Sequence, residues 1–180
     1  MRANYKLYRG MTNKQLSVTY TYNFETTGDF QTIRQHENGT LTIRPSFGIS
    51  ISNGFEKDSI YIVPSQYYAF TPLLETAVKL ISEHLYELFP DVGNSEFEVD
   101  SKALERFMTE KALANGGFTI IPAVFVDDNN QCYPGLRINT IRFGSMVIPF
   151  DDAISISKLL SSFDPHLFSI SMLRLFGRFD

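Results

Sequence analysis

The side chains that usually carry catalysis are few in this chain, and their spacing does not favour it. His36, His84 and His166 are the only histidines, and no pair of them has the spacing of metal ligands. Cys132 is the single cysteine, which excludes an intrachain disulfide and an all-thiolate metal site. No residue beside Cys132 in the sequence is of a type that activates a thiol. These residues predict no enzyme activity.

Two pairs of adjacent aspartates are the remaining candidates for chemistry. Asp127–Asp128 and Asp151–Asp152 are carboxylates of the kind that a two-metal nuclease uses. We favour a structural interpretation, in which the first pair forms a turn and the second begins a helix and interacts with its dipole. A glycine loop that would bind phosphates is absent, because Gly116–Gly117 follows a predicted helix instead of preceding one. We therefore expect no metal and no cofactor, and a metal-dependent nuclease is a third alternative.

Aromatic side chains combined with cations suggest a different chemistry, the binding of nucleic acid. The chain has 16 Phe, 9 Tyr and no Trp, and seven of the tyrosines precede residue 71. Single strands bind by stacking bases on aromatic rings beside positive charge, and stacking contributes roughly 1–3 kcal/mol per base. Rings at alternate positions of a strand are about 6.6–7 Å apart, which suits successive bases. The predicted nucleic-acid-binding residues are Tyr5, Lys6, Arg9, Tyr20, Tyr22, Arg34, Arg44, Tyr61, Arg137, Arg142 and Phe143, and Tyr8 and Tyr133 are further aromatic candidates.

The same rings have an alternative role in the core. Tyr20 and Tyr22 alternate with polar residues and share a strand face with Val18 and Phe24, as buried sheet residues do. The arginines of the strands have an equally ordinary role on a solvated outer face. The phenylalanines of the predicted helices are expected to be core residues. Both interpretations of Tyr20 and Tyr22 remain open at this level.

The charge distribution limits the argument against an anionic partner. Sixteen bases and twenty acids give a net charge of −4, which by itself disfavours nucleic acid. Residues 1–50, however, carry six bases and three acids, whereas residues 51–100 carry two bases and nine acids. The local field can therefore attract an anion in the first part of the chain.

Composition also predicts the environment of the protein. No apolar run reaches the roughly 20 residues of a membrane span, and the first residues lack the apolar core of a signal peptide. The single cysteine suits a reducing compartment. We expect a soluble protein in the cytoplasm, or in the host cytoplasm if the protein is viral.

Hydrophobic periodicity predicts an α+β protein. Strict alternation in residues 17–24 is the strongest strand signal, and Asn38–Gly39 is typical of a hairpin turn. Thr71–Pro72 is typical of a helix start, and Pro90 ends the apolar stripe that follows it. The predicted strands are 4–9, 17–24, 30–35, 40–46, 49–51, 60–63, 118–125, 136–141 and 145–148. The predicted helices are 71–89, 101–114, 151–163 and 166–176.

An internal repeat divides the chain into two similar halves. Residues 39–45 resemble 117–122, and residues 60–64 resemble 145–149. In each half, antiparallel strands are followed by Val or Ile, then Pro, then a helix. We therefore predict a single domain, 1–180, with pseudo-repeat halves at about 17–90 and 115–165. Each half forms an antiparallel sheet followed by a helix, and the helix at 101–114 is inserted between them.

This duplicated unit resembles the Whirly-like architecture, in which two antiparallel sheets pack face against face and each is followed by a helix. The resemblance covers most of residues 17–163 and depends on the order of elements and on the repeated strand–Pro–helix junction. The chain lacks the lysine-rich motif of the plant members. The superfamily includes bacteriophage single-stranded DNA-binding proteins, so the resemblance implies binding of single strands. The sheet faces of one subunit make a short site that oligomers extend, so we expect a homo-oligomer. The terminal Phe179–Asp180 weakly matches the tails with which many single-stranded DNA-binding proteins recruit replication or recombination partners.

The sequence thus predicts a non-enzymatic single-stranded DNA-binding protein that coats and protects strands in replication or recombination. RNA is an alternative partner. The alternative function is that of a structural or assembly protein, such as a small virion protein, which binds no nucleic acid.

Overall fold

The computed structural model describes residues 2–23, 33–43, 46–54, 59–92, 97–111, 113–141 and 144–175. These residues form ten strands and five helices. The strands are β1 (Arg2–Arg9), β2 (Ser17–Asn23), β3 (Ile33–Gln35), β4 (Leu41–Ile43), β5 (Phe47–Ser52), β6 (Ser59–Ile62), β7 (Leu113–Asn115), β8 (Phe118–Val126), β9 (Cys132–Thr140) and β10 (Gly144–Pro149). The helices are α1 (Pro64–Glu83), α2 (Leu85–Leu88), α3 (Ser101–Glu110), α4 (Phe150–Ser162) and α5 (Pro165–Leu175).

The first sheet has the order β1-β2-β5-β6, with every neighbouring pair antiparallel. The alternation in residues 17–24 correctly predicted which side chains of β2 share a face, because successive residues of a strand point to opposite faces. Val18, Tyr20 and Tyr22 are fully buried, and the opposing residues of β5 are buried on the same face. One face of this sheet is therefore core.

The second sheet has the order β10-β9-β8-β7, so its strands are neighbours in chain order. Ile120, Ile138 and Met146 oppose one another across three strands and are buried. The predicted class, α+β with two antiparallel sheets followed by helices, is confirmed at this level.

The predicted hairpin around Asn38–Gly39 is also confirmed. β3 and β4 pair antiparallel in a separate two-stranded ribbon. Gly39 has a φ of 80°, a conformation that glycine adopts without strain. The asparagine side chain accepts hydrogen bonds from the amide and the hydroxyl of Thr40, which stabilises the turn.

The predicted helices 71–89 and 101–114 differ from the structure in their boundaries, and the first of them is divided into α1 and α2. The first helix begins at Pro64, not at Thr71, and it continues through Pro72. Val63 and Pro64 form the actual start, where Gln66 accepts a hydrogen bond from the Val63 amide through its side chain. The predicted helix 101–114 ends at Glu110, and the residues after Ala112 form β7 because they pair with β8.

The helices cover the core faces of both sheets. α1 packs against α4 and also contacts strands of both sheets. α5 packs on the first sheet, where the ring of Phe168 meets Tyr20 edge-on with a centroid distance of 4.6 Å. No helix among the described residues has the length and apolarity needed to span a membrane.

Candidate nucleic-acid interface

The face of the first sheet opposite the core is polar and is made mainly of small side chains. We call it the outer face. The strand register identifies the residues of this face, because side chains directly opposite each other on paired strands point to the same face of the sheet. The outer face consists of Asn4, Lys6, Arg9, Ser17, Thr19, Thr21, Gly48, Ser50, Ser52, Ser59 and Tyr61.

Tyr61 is the aromatic residue of the outer face among the residues that the structure describes. It opposes Ser50 on β5 and is half-buried because its ring lies over the backbone of Gly48. A Cβ atom built on Gly48 would lie 1.8 Å from the Tyr61 hydroxyl oxygen and 2.4 Å from a ring carbon. Glycine is therefore required for this ring position, and the ring rests on a backbone platform.

Two exposed cations share the outer face with Tyr61. Lys6 opposes Thr19, in the same cross-strand row as Ser50 and Tyr61, and Arg9 opposes Ser17 further along β1. Within the described parts of the chain, neither cation has a carboxylate within salt-bridge distance. The outer face therefore combines a ring with positive charges that are available to an anion.

Tyr20 and Tyr22 were predicted to bind nucleic acid, and this prediction is wrong. Both have no exposed surface, because they alternate with Val18 on the core face of β2. The Tyr20 hydroxyl donates to Ser169 (2.5 Å), whose own hydroxyl donates to the Pro165 carbonyl (2.6 Å). Burial raises the pKa of the Tyr20 hydroxyl, an effect that the Ser169 hydrogen bond partly offsets. A ring in this position cannot stack on a base.

The two tyrosines of β1 also face the core side. Tyr5 opposes Tyr20 and meets Phe168 edge-on with a centroid distance of 5.5 Å. Tyr8 donates its hydroxyl hydrogen to Asp152 (2.7 Å), and its pKa is raised by burial and by this carboxylate. Tyr5 and Tyr8 are partly buried and therefore do not share the outer face with Tyr61.

Asp152 has a role that the sequence did not reveal. Its carboxylate is fully buried in the first turn of α4 and also accepts hydrogen bonds from the backbone amides of Met11 (2.7 Å) and Asn13 (3.1 Å). The adjacent Asp151 is exposed, as a residue that only favours a helix dipole would be. No local signal distinguishes the two aspartates, because the donors lie about 140 positions away in the chain.

The second sheet carries two further candidate residues, both on β9. Arg137 is exposed on β9, where its cross-strand neighbours are the apolar Ile121 and Val147. Tyr133 lies near the β8–β9 turn and donates its hydroxyl hydrogen to Gln131 (2.8 Å). Arg137 therefore lacks the polar surroundings that Lys6 has on the first sheet.

The structure does not describe the side chains of the remaining predicted residues. Arg34 belongs to β3, opposite Thr42 on the ribbon, and only its backbone placement is described. Arg44, Arg142 and Phe143 lie outside the described residues.

The described residues also show how the paired aspartates are used. Asp127 accepts hydrogen bonds from the amides of Asn129 (2.9 Å) and Gln131 (2.8 Å), which fixes the predicted turn. Across the described ranges, no three His, Cys, Asp or Glu side chains are grouped so that they could hold a metal ion. The structural interpretation of both aspartate pairs thus fits their contacts.

A groove of about 740 Å³ lies between α1 and α4. Both signs of charge line it, with Glu75 and Lys79 on α1 and Lys158 on α4. It has neither an aromatic ring nor an excess of positive charge, so the outer face is the better candidate for a nucleic acid.

Comparison with known proteins identifies no relative of this chain: no family model, no curated protein and no solved structure matches it. The resemblance to the Whirly-like architecture therefore remains a prediction from element order.

Proposed function

We propose that the protein is a non-enzymatic single-stranded DNA-binding protein and that it binds through the outer face of the first sheet. The observation that supports this best is the Tyr61 ring, which lies over Gly48 on the same face as Lys6 and Arg9. A base stacks on Tyr61, while the two cations lie against neighbouring phosphates. The small hydroxyl side chains between them allow the strand to approach the sheet.

The composition of this surface favours weak, salt-sensitive and sequence-tolerant binding. Stacking does not distinguish bases strongly, because every base offers an aromatic face. Each phosphate contact releases condensed counterions, so the affinity falls as salt rises. One ring and two cations form a short site. A homo-oligomer extends this site along a strand, which suits a protein that coats and protects single strands in replication or recombination.

Fluorescence anisotropy with a labelled oligo-dT at low salt tests this function. Tyr61→Ala removes the stacking platform, so the dissociation constant is expected to rise about 5- to 150-fold, which corresponds to roughly 1–3 kcal/mol. Tyr86→Ala is the matched control, because Tyr86 is 76% exposed on α2 and does not belong to the outer face. The absence of binding by the wild-type protein up to tens of micromolar would exclude the function.

The proposed duplication is supported by the order of elements. β6 ends at Ile62 and α1 begins at Pro64, while β10 ends at Pro149 and α4 begins at the next residue. The same junction thus follows a four-stranded antiparallel sheet in both halves. This supports the Whirly-like assignment, and with it a role in the cytoplasm, where a bacteriophage protein of this kind would act.

A structural or assembly protein is the second candidate, and an exposed part of α5 favours it. Leu167 and Leu175 are 63% and 74% exposed, and their spacing of eight residues places them near one another on the helix surface. Light scattering after size-exclusion chromatography, with and without oligo-dT, separates the two functions. A large assembly that forms without DNA and is insensitive to salt favours the second.

A further inference from the structure

The strand β1 contains an irregularity that decides which side chains reach the outer face. Lys6 opposes Thr19 and Tyr8 opposes Val18, so Leu7 is an extra residue in the ladder, a β-bulge. Lys6 and Tyr8, two positions apart, would share a face in a regular strand, but here they lie on opposite faces. The bulge thus places Arg9 on the outer face with Lys6.

A regular pairing would separate the two cations. Without the extra residue, Leu7 would oppose Val18, Tyr8 would oppose Ser17, and Arg9 would follow on the core side beside the fully buried Leu16. Tyr8 would then leave the core face and lose Asp152. The bulged register therefore brings about two results together: Tyr8 meets Asp152, and Arg9 joins Lys6.

Asp152 also holds the loop that follows β1. Its carboxylate accepts the amides of Met11 and Asn13 in addition to the Tyr8 hydroxyl, so three donors from residues 8–13 converge on one buried group. At the base of the loop, the Gly10 amide donates to the Leu16 carbonyl (2.7 Å). The position of Arg9 is thus fixed on both sides, by Tyr8 before it and by the loop after it.

We infer that Tyr8 and Asp152 are positioning residues of the DNA-binding surface, because they hold the bulge that places Arg9 beside Lys6. This inference rests on the proposed function for its effect on binding. Neither residue touches the DNA, and each acts through Arg9. The link also joins the first sheet to the first turn of α4, so the positions of the two cations on β1 depend on a side chain of that helix.

The test measures the oligo-dT affinity of Tyr8→Phe over a range of salt concentrations. Loss of one phosphate contact makes the negative slope of log K against log salt shallower by about 0.7. If wild type and variant bind equally at 1 M salt, the variant therefore binds about 15-fold more weakly at 20 mM salt. In an Arg9→Ala background, Tyr8→Phe is expected to have no further effect, because both changes remove the same contact. An unchanged salt slope in Tyr8→Phe, or full additivity with Arg9→Ala, would overturn the inference.

A matched control separates positioning from loss of stability. Tyr67→Phe also removes a buried hydroxyl, which donates to the carbonyls of Leu160 (2.5 Å) and Phe163 (2.8 Å) and has no hydrogen bond to β1 or to Asp152. It should lower the midpoint of urea unfolding without changing the salt slope. An equal loss of slope in Tyr67→Phe would assign the effect to stability and overturn the inference.

The register of β1 gives a readout that is independent of DNA. Cross-strand NOE contacts of Tyr8 with Val18 are expected in the wild-type protein and are expected to be lost or shifted in Asp152→Ala and Tyr8→Phe. If the wild-type protein binds no oligo-dT but these contacts shift, the proposed function fails while the positioning of β1 stands. If the contacts persist in both variants, the positioning role itself is refuted.

Discussion

Replacement of Asp152 tests whether the buried carboxylate joins β1 and the loop after it to α4. Asp152→Ala leaves the Tyr8 hydroxyl and two backbone amides without the acceptor that the buried carboxylate provides. An unsatisfied buried hydrogen-bonding group costs about 1–3 kcal/mol, and three donors lose their acceptor in this variant. We therefore expect a loss of about 3–5 kcal/mol in the free energy of unfolding.

The atom-level contacts predict a smaller loss for the amide variant. One carboxylate oxygen accepts from both Tyr8 and Met11, and the other accepts from Asn13. Asp152→Asn can keep its oxygen on the first two donors, but its amino group then faces the Asn13 amide, so we expect a loss of about 1–3 kcal/mol. The order of stability is therefore wild type, then Asn, then Ala.

Urea unfolding followed by circular dichroism measures these differences. Asp151→Asn is the matched control, because it removes a negative charge from the same first turn of α4 but from an exposed side chain. Its loss should be below about 1 kcal/mol, the usual size of a helix-dipole interaction. Equal losses in Asp152→Ala and Asp151→Asn would refute the idea that Asp152 joins β1 and its loop to α4.

One further variant and one change of pH give additional predictions. Gly48→Ala is expected to displace the Tyr61 ring and to weaken oligo-dT binding as much as Tyr61→Ala does, as measured by anisotropy; unchanged affinity would show that the ring position is unimportant. Stability should fall as the pH rises above about 10, because burial raises the pKa values of Tyr8, Tyr20 and Tyr67 in the folded state, so that the unfolded chain releases these protons first. Urea midpoints between pH 9 and 11 check this, and the loss should be smaller in Tyr67→Phe.

The fold was largely predictable because its signals are local. Alternation in residues 17–24 sorted the side chains of β2, and Asn38–Gly39 located a real hairpin. The start of α1 was misplaced because Val63–Pro64 and Thr71–Pro72 both resemble helix starts. Pairing with β8, a tertiary interaction, converted the end of the predicted second helix into β7.

The candidate site was predicted only in part. An alternating strand pattern assigns residues to two faces of a sheet but does not show which face is buried. The sequence therefore predicted the same role for Tyr20, Tyr22 and Tyr61. The structure places Tyr20 and Tyr22 on the core face of the first sheet and Tyr61 on the outer face. The bulge at Leu7 also places Tyr8 and Arg9 on the faces opposite to those of a regular strand. The local sequence pattern does not predict this bulge. Asp152 was not recognised because its donors are distant in the chain.

Photo-crosslinking of the protein to oligo-dT that contains 5-bromodeoxyuridine, followed by peptide mass spectrometry, tests the central claim most directly. A base that stacks on the outer face lies against the Tyr61 ring, so the crosslink is expected at Tyr61 and should disappear in Tyr61→Ala. Crosslinks at Tyr68 or Tyr86, exposed on the helices, with none at Tyr61 would contradict the account.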